Sequence, residues 1–219
     1  MNDILKNILI QPKVITPSGI NFLRNYLKTC NKEYTGVFDP NKTNEINEHR
    51  SKIDLSIRNA KCADIFPIEK QIQNLYTNIV ENVINPFYKF EIMDCEIPQL
   101  LCYEPGGHYK PHNDAEGLWV NPDGTKMYKK TMDRDLSTVL FLNDDFEGGY
   151  LTFPDLRITI KPEPGLLVCF PSSRWFVHTV EPVTKGIRYS IVTWMRVHGF
   201  KTKEEQDREI EKKYGIKVA

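Results

Sequence analysis

Residues 103–114 read YEPGGHYKPHND, and residues 178–190 read HTVEPVTKGIRYS. In an extended segment, residues i and i+2 point to the same face, so the side chains of His112 and Asp114 can bind one ion together. Two imidazoles and one carboxylate suit a divalent first-row metal and leave coordination positions open. His178 is the candidate for the second imidazole. The pattern therefore predicts a metal site made by His112, Asp114 and His178.

An arginine follows the third candidate ligand. Arg188 comes ten residues after His178, and its planar guanidinium can hold a carboxylate through two parallel hydrogen bonds. A metal with open positions beside a fixed cation indicates a dicarboxylate co-substrate. The three candidate ligands alone would also fit a zinc hydrolase, but such a hydrolase leaves Arg188 unexplained.

Composition limits the classes of function. The chain has 219 residues, 40% of them hydrophobic, which is enough for one sizeable core. Lys plus Arg and Asp plus Glu number 29 each, so no net field favours nucleic acid or an anionic membrane, and neither is expected as a partner. We find no secretory signal and no apolar run of membrane-spanning length, so a cytoplasmic location is expected.

The two ends of the chain read as helical. A helix is predicted from Ser18 to about residue 30, and a second over about 67–83, because apolar residues recur there at helical spacing. The polar residues 35–56 between them predict a long surface loop. The charged residues 199–219 predict a solvated C-terminal helix.

The central part of the chain reads as strands. Short runs rich in Leu, Val, Ile, Phe and Tyr alternate with Gly, Pro, Asn and Asp, which is typical of an antiparallel sandwich or barrel. The predicted strands are 97–104, 136–143, 149–153, 157–160, 166–170, 176–181 and 187–197. The expected fold class is α+β, mainly β. It forms a single domain, 1–219, with a helical support region at 1–90, a β core at 91–198 and the C-terminal helix at 199–219.

From about Leu100 to Val197 the chain resembles the catalytic domain of Fe(II)- and 2-oxoglutarate-dependent dioxygenases, in the prolyl 4-hydroxylase branch. The matching pieces, in order, are YEPGGHYKPHND, STVLFLND, FEGGYLTFPD, KPEPGLLVCFPS and HTVEPVTKGIRYSIVTWM. The resemblance implies a double-stranded β-helix, or jelly-roll, core. It also implies Fe(II), 2-oxoglutarate as co-substrate and O2 as oxidant, and it allows for ascorbate.

The resemblance assigns roles to individual residues. His112, Asp114 and His178 would be the iron ligands, and Arg188 would pair with the distal carboxylate of 2-oxoglutarate. Halogenases of this superfamily have a small residue in place of the carboxylate ligand, so Asp114 favours hydroxylation.

Four further positions can be compared with the family pattern. Tyr103 would line the co-substrate or substrate pocket, and Ser190 could share the distal carboxylate with the arginine. Phe141 stands where relatives often have a polar or aromatic partner of the co-substrate, but it has no hydroxyl. Nucleic-acid dealkylases carry a second arginine where this chain has Trp194, which disfavours that branch.

The substrate is the least determined part. By analogy it is proline in a peptide or protein; a free amino acid or other small molecule is the alternative, and a non-catalytic jelly-roll binding module is a third reading. Residues 115–135 stand where relatives have a mobile loop, so they predict either a lid containing Trp119 and Tyr128 or a surface insertion. Their positive charge could favour an acidic peptide or could only keep the loop soluble; the cations are Lys126, Lys129, Lys130 and Arg134.

Overall fold

The computed structural model describes residues 6–38 and 51–218. Helix α1 (Pro17–Thr29) is capped by Thr16, whose hydroxyl accepts a hydrogen bond from the Gly19 backbone N–H. The sequence predicts Ser18 as the cap, but the Ser18 hydroxyl instead lies 3.0 Å from the Thr16 hydroxyl. The helix therefore begins two residues earlier than a cap at Ser18 would place it, with Pro17 in the first position, where its missing N–H costs nothing.

The second predicted helix is longer than expected. Helix α2 (Glu69–Ile79) continues through a π-helical turn (Val80–Ile84) into the short helix α3 (Asn85–Tyr88). Pro86 does not end the helix, because it lies in the first turn of α3, just after the wider π turn. The helix ends instead at Lys89, which adopts a left-handed conformation with φ 57°.

The strands form two main antiparallel sheets. They are β1 (Leu9–Gln11), β2 (Lys32–Tyr34), β3 (Val37–Phe38), β4 (Ser51–Lys52), β5 (Arg58–Asn59), β6 (Lys61–Ala63), β7 (Ile92–Cys95), β8 (Gln99–Tyr103), β9 (His108–His112), β10 (Glu116–Val120), β11 (Lys126–Lys130), β12 (Leu136–Phe141), β13 (Glu147–Gly148), β14 (Leu151–Phe153), β15 (Ile158–Ile160), β16 (Leu167–Pro171), β17 (His178–Val180), β18 (Val183–Lys185) and β19 (Arg188–Val197). The larger sheet has the order β1-β16-β12-β19-β8-β6-β2, with β7 also paired to β19. The smaller has the order β15-β14-β17-β9-β5.

The mainly β fold is confirmed, and all seven strands predicted between residues 97 and 197 are present. The core also contains β7, β9, β10, β11, β13 and β18. Strands β1 to β6 lie in the first ninety residues, where the sequence predicts helices and loop. These strands have only two or three residues each, too few to show an alternating pattern. The predicted loop at 35–56 falls partly outside the described residues.

The larger sheet separates two apolar clusters. On one face, Leu140 and Ile191 pack with Leu27 of α1 and Ile72 of α2. On the other face, residues of β12 and β16 such as Phe170 pack against the smaller sheet. Because side chains alternate along a strand, every second residue of β8, β12 and β19 points between the sheets. The candidate site lies in this interior space.

Residues 115–135 contain a β-hairpin, formed by β10 and β11. The C-terminal helix α4 (Lys203–Tyr214) begins with a capping box between Thr202 and Glu205 and packs against this hairpin. Lys129 pairs with Asp207 of α4, and both side chains are almost completely buried. The helix is therefore anchored to the hairpin and is not simply solvated. Among the described residues, no helix has the length and apolarity to span a membrane.

Candidate metal and co-substrate site

The fold brings the three predicted metal ligands together. His112 ends β9 and pairs in register with His178, which begins β17. Asp114 follows two residues after His112. Its Oδ1 lies 3.5 Å from Nε2 of His112, and its Oδ2 lies 3.5 Å from Nε2 of His178. The potential ligand atoms all lie within 4.8 Å of one another, so these side chains could hold one metal ion.

Backbone carbonyl groups orient both imidazole rings. Nδ1 of His112 lies 2.8 Å from the carbonyl oxygen of Lys110, and Nδ1 of His178 lies 3.1 Å from that of Phe176. A carbonyl oxygen can only accept, so each Nδ1 carries a proton, and in the neutral ring Nε2 then keeps the lone pair. The two Nε2 atoms are those that face Asp114. The rings are therefore held in the tautomer that binds a metal.

The protonation states also favour metal binding. Burial opposes ionisation of Asp114, but His178, His112 and a hydrogen bond from Ser137 outweigh it and hold the pKa of this carboxyl well below its usual range. Burial lowers the pKa of His178 to about 4, although Asp114 acts in the opposite direction. Near neutral pH the site therefore presents a carboxylate and a neutral His178 imidazole.

Arg188 supplies a buried cation that has no counter-ion among the described residues. It begins β19, opposite Tyr103 of β8, and its side chain is 1% exposed. Nη1 donates to the hydroxyl of Ser190 at 3.1 Å, while Nε has no hydrogen-bond partner. Within the described residues, no carboxylate forms an ion pair with Arg188. An isolated buried charge is unfavourable, so this guanidinium is suited to an anionic ligand.

The surroundings of Arg188 hold it in place. Its guanidinium carbon lies 4.8 Å from the ring centre of Tyr103 and 5.0 Å from that of Phe141. Gly149 passes close beneath the side chain, since an added Cβ would lie 3.1 Å from Cδ of Arg188. Phe141 thus contributes a ring face in place of the hydrogen bond that a hydroxyl would provide.

One cavity between the sheets joins the two parts of the site. It is lined by the three candidate ligands, Arg188, Tyr103 and Trp194, among others. Ser190 is fully buried and contacts the guanidinium of Arg188. A dicarboxylate in this cavity could reach both Arg188 and the metal ligands.

The sequence analysis missed a second buried arginine on the cavity wall. Arg58 of β5 is 6% exposed, and its Nη2 donates to Oε1 of Gln99 at 3.0 Å. Its guanidinium carbon lies 4.9 Å from the ring centre of Tyr109, and the Tyr109 ring stacks on His112 at 3.6 Å. Nε has no partner. No sequence signal marks Arg58, because only the pairing of β5 with β9 brings it to the site.

The positive charge of residues 115–135 is largely compensated. Lys129 pairs with Asp207, Lys130 with Asp135 at 2.5 Å, and Arg134 with Glu96 at 2.5 Å. Three of the four cations therefore have carboxylate partners within the protein. This finding weakens the interpretation that the segment selects an acidic peptide.

The chain is similar to several known proteins. The family model of the 2OG-Fe(II) oxygenase superfamily matches residues 98–196. A PKHD-type hydroxylase of Sphingopyxis alaskensis is 30% identical over 143 residues, which are 63% of this chain and 61% of that protein. Human prolyl 3-hydroxylase 2 is 33% identical over 88 residues, 36% of this chain and 12% of that protein. The chain thus spans less than two thirds of the length of these curated relatives.

A solved structure shares the fold. It is a prolyl hydroxylase in complex with a hypoxia inducible factor oxygen degradation domain peptide fragment from Trichoplax adhaerens, with a TM-score of 0.64 at 18% identity. The similarity covers 92% of this chain and 86% of that one. The expected jelly-roll fold is thereby confirmed. Residues 98–196, which match the model of the 2OG-Fe(II) oxygenase superfamily, carry the three candidate ligands and Arg188.

Proposed function

We propose that this protein is an Fe(II)- and 2-oxoglutarate-dependent dioxygenase that hydroxylates proline, at position 4, in a peptide or protein. The observation that carries the proposal is the cavity in which Arg188, a buried cation with no counter-ion in the described part of the chain, faces the cluster of His112, Asp114 and His178. When bound, Fe(II) would couple the oxidative decarboxylation of 2-oxoglutarate by O2 to hydroxylation of a C–H bond.

In this proposal the protein supplies ligands that need little rearrangement. His112 and His178 would bind iron through Nε2, because their Nδ1 atoms are engaged with backbone carbonyls. Asp114 would bind as a carboxylate, because its pKa is held low. Fixed ligands keep the open coordination positions in a defined direction.

Arg188 would hold the distal carboxylate of 2-oxoglutarate. Ser190 accepts a hydrogen bond from Nη1, which leaves the other guanidinium N–H groups for the co-substrate. Tyr103 lines the same cavity and would contact the co-substrate with its ring or hydroxyl. Because Arg188 is buried, its attraction for a carboxylate is little screened by water.

A peptide substrate is supported by the relatives. Proteins similar to this chain are named PKHD-type and prolyl hydroxylases, and the Trichoplax adhaerens relative was solved with a peptide.

A free amino acid is the second candidate substrate, because the buried cation of Arg58 could pair with an α-carboxylate. Peptide backbone carbonyls could accept hydrogen bonds from the same guanidinium.

The test is turnover with a matched set of substrates. The protein is incubated with Fe(II), 2-oxoglutarate, ascorbate and O2, together with proline-containing peptides with blocked ends or with free proline. We expect a gain of one oxygen atom on proline in a peptide, with one succinate formed per hydroxylation, and no turnover by Arg188→Gln. NMR of the product distinguishes hydroxylation at position 4 from position 3, and omitting ascorbate tests whether it is needed.

Two results would overturn parts of the proposal. Hydroxylation of free proline but of no peptide would favour the small-molecule alternative. No binding of Fe(II) or 2-oxoglutarate by the intact protein would contradict the oxygenase assignment and favour a non-catalytic module. The cytoplasmic location stays a prediction.

A further inference from the structure

One oxygen of Asp114 is held by a buried serine. The hydroxyl of Ser137 donates to Oδ2 of Asp114 at 2.7 Å. Ser137 lies on β12, is 2% exposed and lines the cavity. Its partner carboxylate is also deeply buried, with 7% of the side chain exposed. A hydrogen bond between two such buried groups has no competition from water.

A second serine supports the first. Oγ of Ser172 lies 2.7 Å from Oγ of Ser137. Ser137 has one hydroxyl proton, which it gives to Asp114, so Ser172 must donate to Ser137. The carbonyl oxygen of Ser172 also accepts hydrogen bonds from the backbone N–H groups of Asp114, at 3.2 Å, and of Ala115, at 3.1 Å. Ser172 thus holds Asp114 by its backbone and, through Ser137, by its side chain.

The two oxygens of Asp114 therefore differ. Oδ2 accepts the hydrogen bond from Ser137, whereas no hydroxyl or backbone N–H donates to Oδ1 within the described part of the chain. Oδ1 lies 3.5 Å from Nε2 of His112 and Oδ2 lies 3.5 Å from Nε2 of His178, so the hydrogen bond from Ser137 is what distinguishes the two oxygens. A carboxylate that binds a metal through both oxygens occupies two coordination positions. A hydrogen bond to one oxygen opposes this, because it directs that oxygen toward the donor.

We propose that Ser137, supported by Ser172, is a positioning residue that restricts Asp114 to binding a metal through Oδ1 alone. This inference rests on the proposed function, because it presumes that the three candidate ligands hold iron. Its effect is to keep one more coordination position open for the co-substrate and O2. The serine pair also fixes the direction of the carboxylate before the metal arrives, which raises metal affinity.

The test compares Ser137→Ala with a matched control. Thr193→Val removes the hydroxyl of Thr193, which is fully buried and donates to the Glu96 carbonyl at 2.7 Å but does not contact Asp114. Mn(II) and Co(II) binding is measured by calorimetry without O2, and the Co(II) absorption spectrum reports the coordination number. Ser137→Thr keeps a hydroxyl at the same position and serves as the conservative variant.

We expect Ser137→Ala to bind Mn(II) roughly 10- to 100-fold more weakly than the wild type, with a changed Co(II) spectrum. Ser137→Thr should restore both properties, and Thr193→Val should leave both unchanged. Equal loss of affinity in Ser137→Ala and Thr193→Val, or a wild-type spectrum in Ser137→Ala, would overturn the positioning role. If the wild type itself binds neither Mn(II) nor 2-oxoglutarate, the proposed function fails first, so the two failures are distinguishable.

Discussion

Replacing Arg188 by Gln should remove the preference of the protein for a dicarboxylate co-substrate. A glutamine at this position would keep a polar side chain of moderate length but would lack the charge and the planar fork of the guanidinium. Arg188 is 1% exposed and has no counter-ion among the described residues, so its guanidinium is available to a bound carboxylate, whereas the other arginine of the cavity wall, Arg58, already donates to Gln99. The loss should therefore fall on co-substrate binding.

The magnitude follows from the hydrogen bonds available to Arg188. Nη1 is engaged with Ser190, and Nε has no partner, so at least two N–H groups can reach a carboxylate. Each charge-assisted hydrogen bond contributes about 1.5 kcal/mol or more. Two of them contribute about 3 kcal/mol, which corresponds to a Kd for 2-oxoglutarate that is weaker by roughly 100-fold.

The assay is calorimetric titration without O2, with Mn(II) in place of Fe(II). Titration with 2-oxoglutarate is compared with titration with 2-oxovalerate, which has a methyl group in place of the distal carboxylate. The wild type should prefer 2-oxoglutarate by roughly 100-fold, while Arg188→Gln should bind both compounds with similar weak affinity. The free energy of unfolding should not fall, because the substitution removes an uncompensated buried charge.

Two outcomes would refute this reasoning. Arg188→Gln could retain the preference for 2-oxoglutarate, in which case another group holds the distal carboxylate. Alternatively, binding of both compounds could weaken equally. The substitution would then act through the metal site or the fold and not through the carboxylate.

Three further predictions concern the candidate metal ligand His178 and the hairpin. His178→Ala should abolish the visible charge-transfer band that we expect for the wild type with Fe(II) and 2-oxoglutarate in the absence of O2; a band of wild-type intensity in the variant would exclude His178 as a ligand. In the metal-free protein the pKa of His178 is about 4, below the ordinary value of 6.5. The unfolded chain therefore binds a proton at His178 at a higher pH than the folded protein does. The free energy of unfolding should therefore decrease between pH 6.5 and 4, by at most about 3 kcal/mol. Measured by urea denaturation, the free energy of unfolding of His178→Gln should depend less steeply on pH than that of the wild type; an equal pH dependence would contradict the prediction. Asp207→Asn leaves the buried Lys129 without its carboxylate. It should lower the free energy of unfolding by about 3 kcal/mol in the same assay and expose the hairpin to proteases. Unchanged stability would show that the ion pair is dispensable.

Much of the β core could be predicted from the sequence, because its strands are long enough to show their pattern. The predicted strand at 187–197 is β19, and the one at 136–143 is β12. The short strands of the first ninety residues could not be predicted, since two or three residues form a strand only when a neighbour pairs with them. At residues 115–135 the sequence predicts a lid or an insertion, and the structure has the hairpin of β10 and β11 there. The alternation of polar and apolar residues along this hairpin is obscured because Lys129 is buried against Asp207 of the C-terminal helix.

By itself, the sequence determined the candidate ligands and the co-substrate anchor, because these lie in short motifs with fixed spacing. His112 and Asp114 are two residues apart, and the ten residues from His178 to Arg188 place both side chains in one cavity. That these residues bind iron and 2-oxoglutarate stays a proposal.

Only the tertiary structure decided which groups surround that motif. Ser137 contacts Asp114 from 23 positions away, and Arg58 contacts Gln99 from 41 positions away. Such pairs depend on strand register, which results from packing of the whole core and leaves no local mark in the sequence. The candidate ligands were therefore readable one motif at a time, whereas the residues that contact them were not.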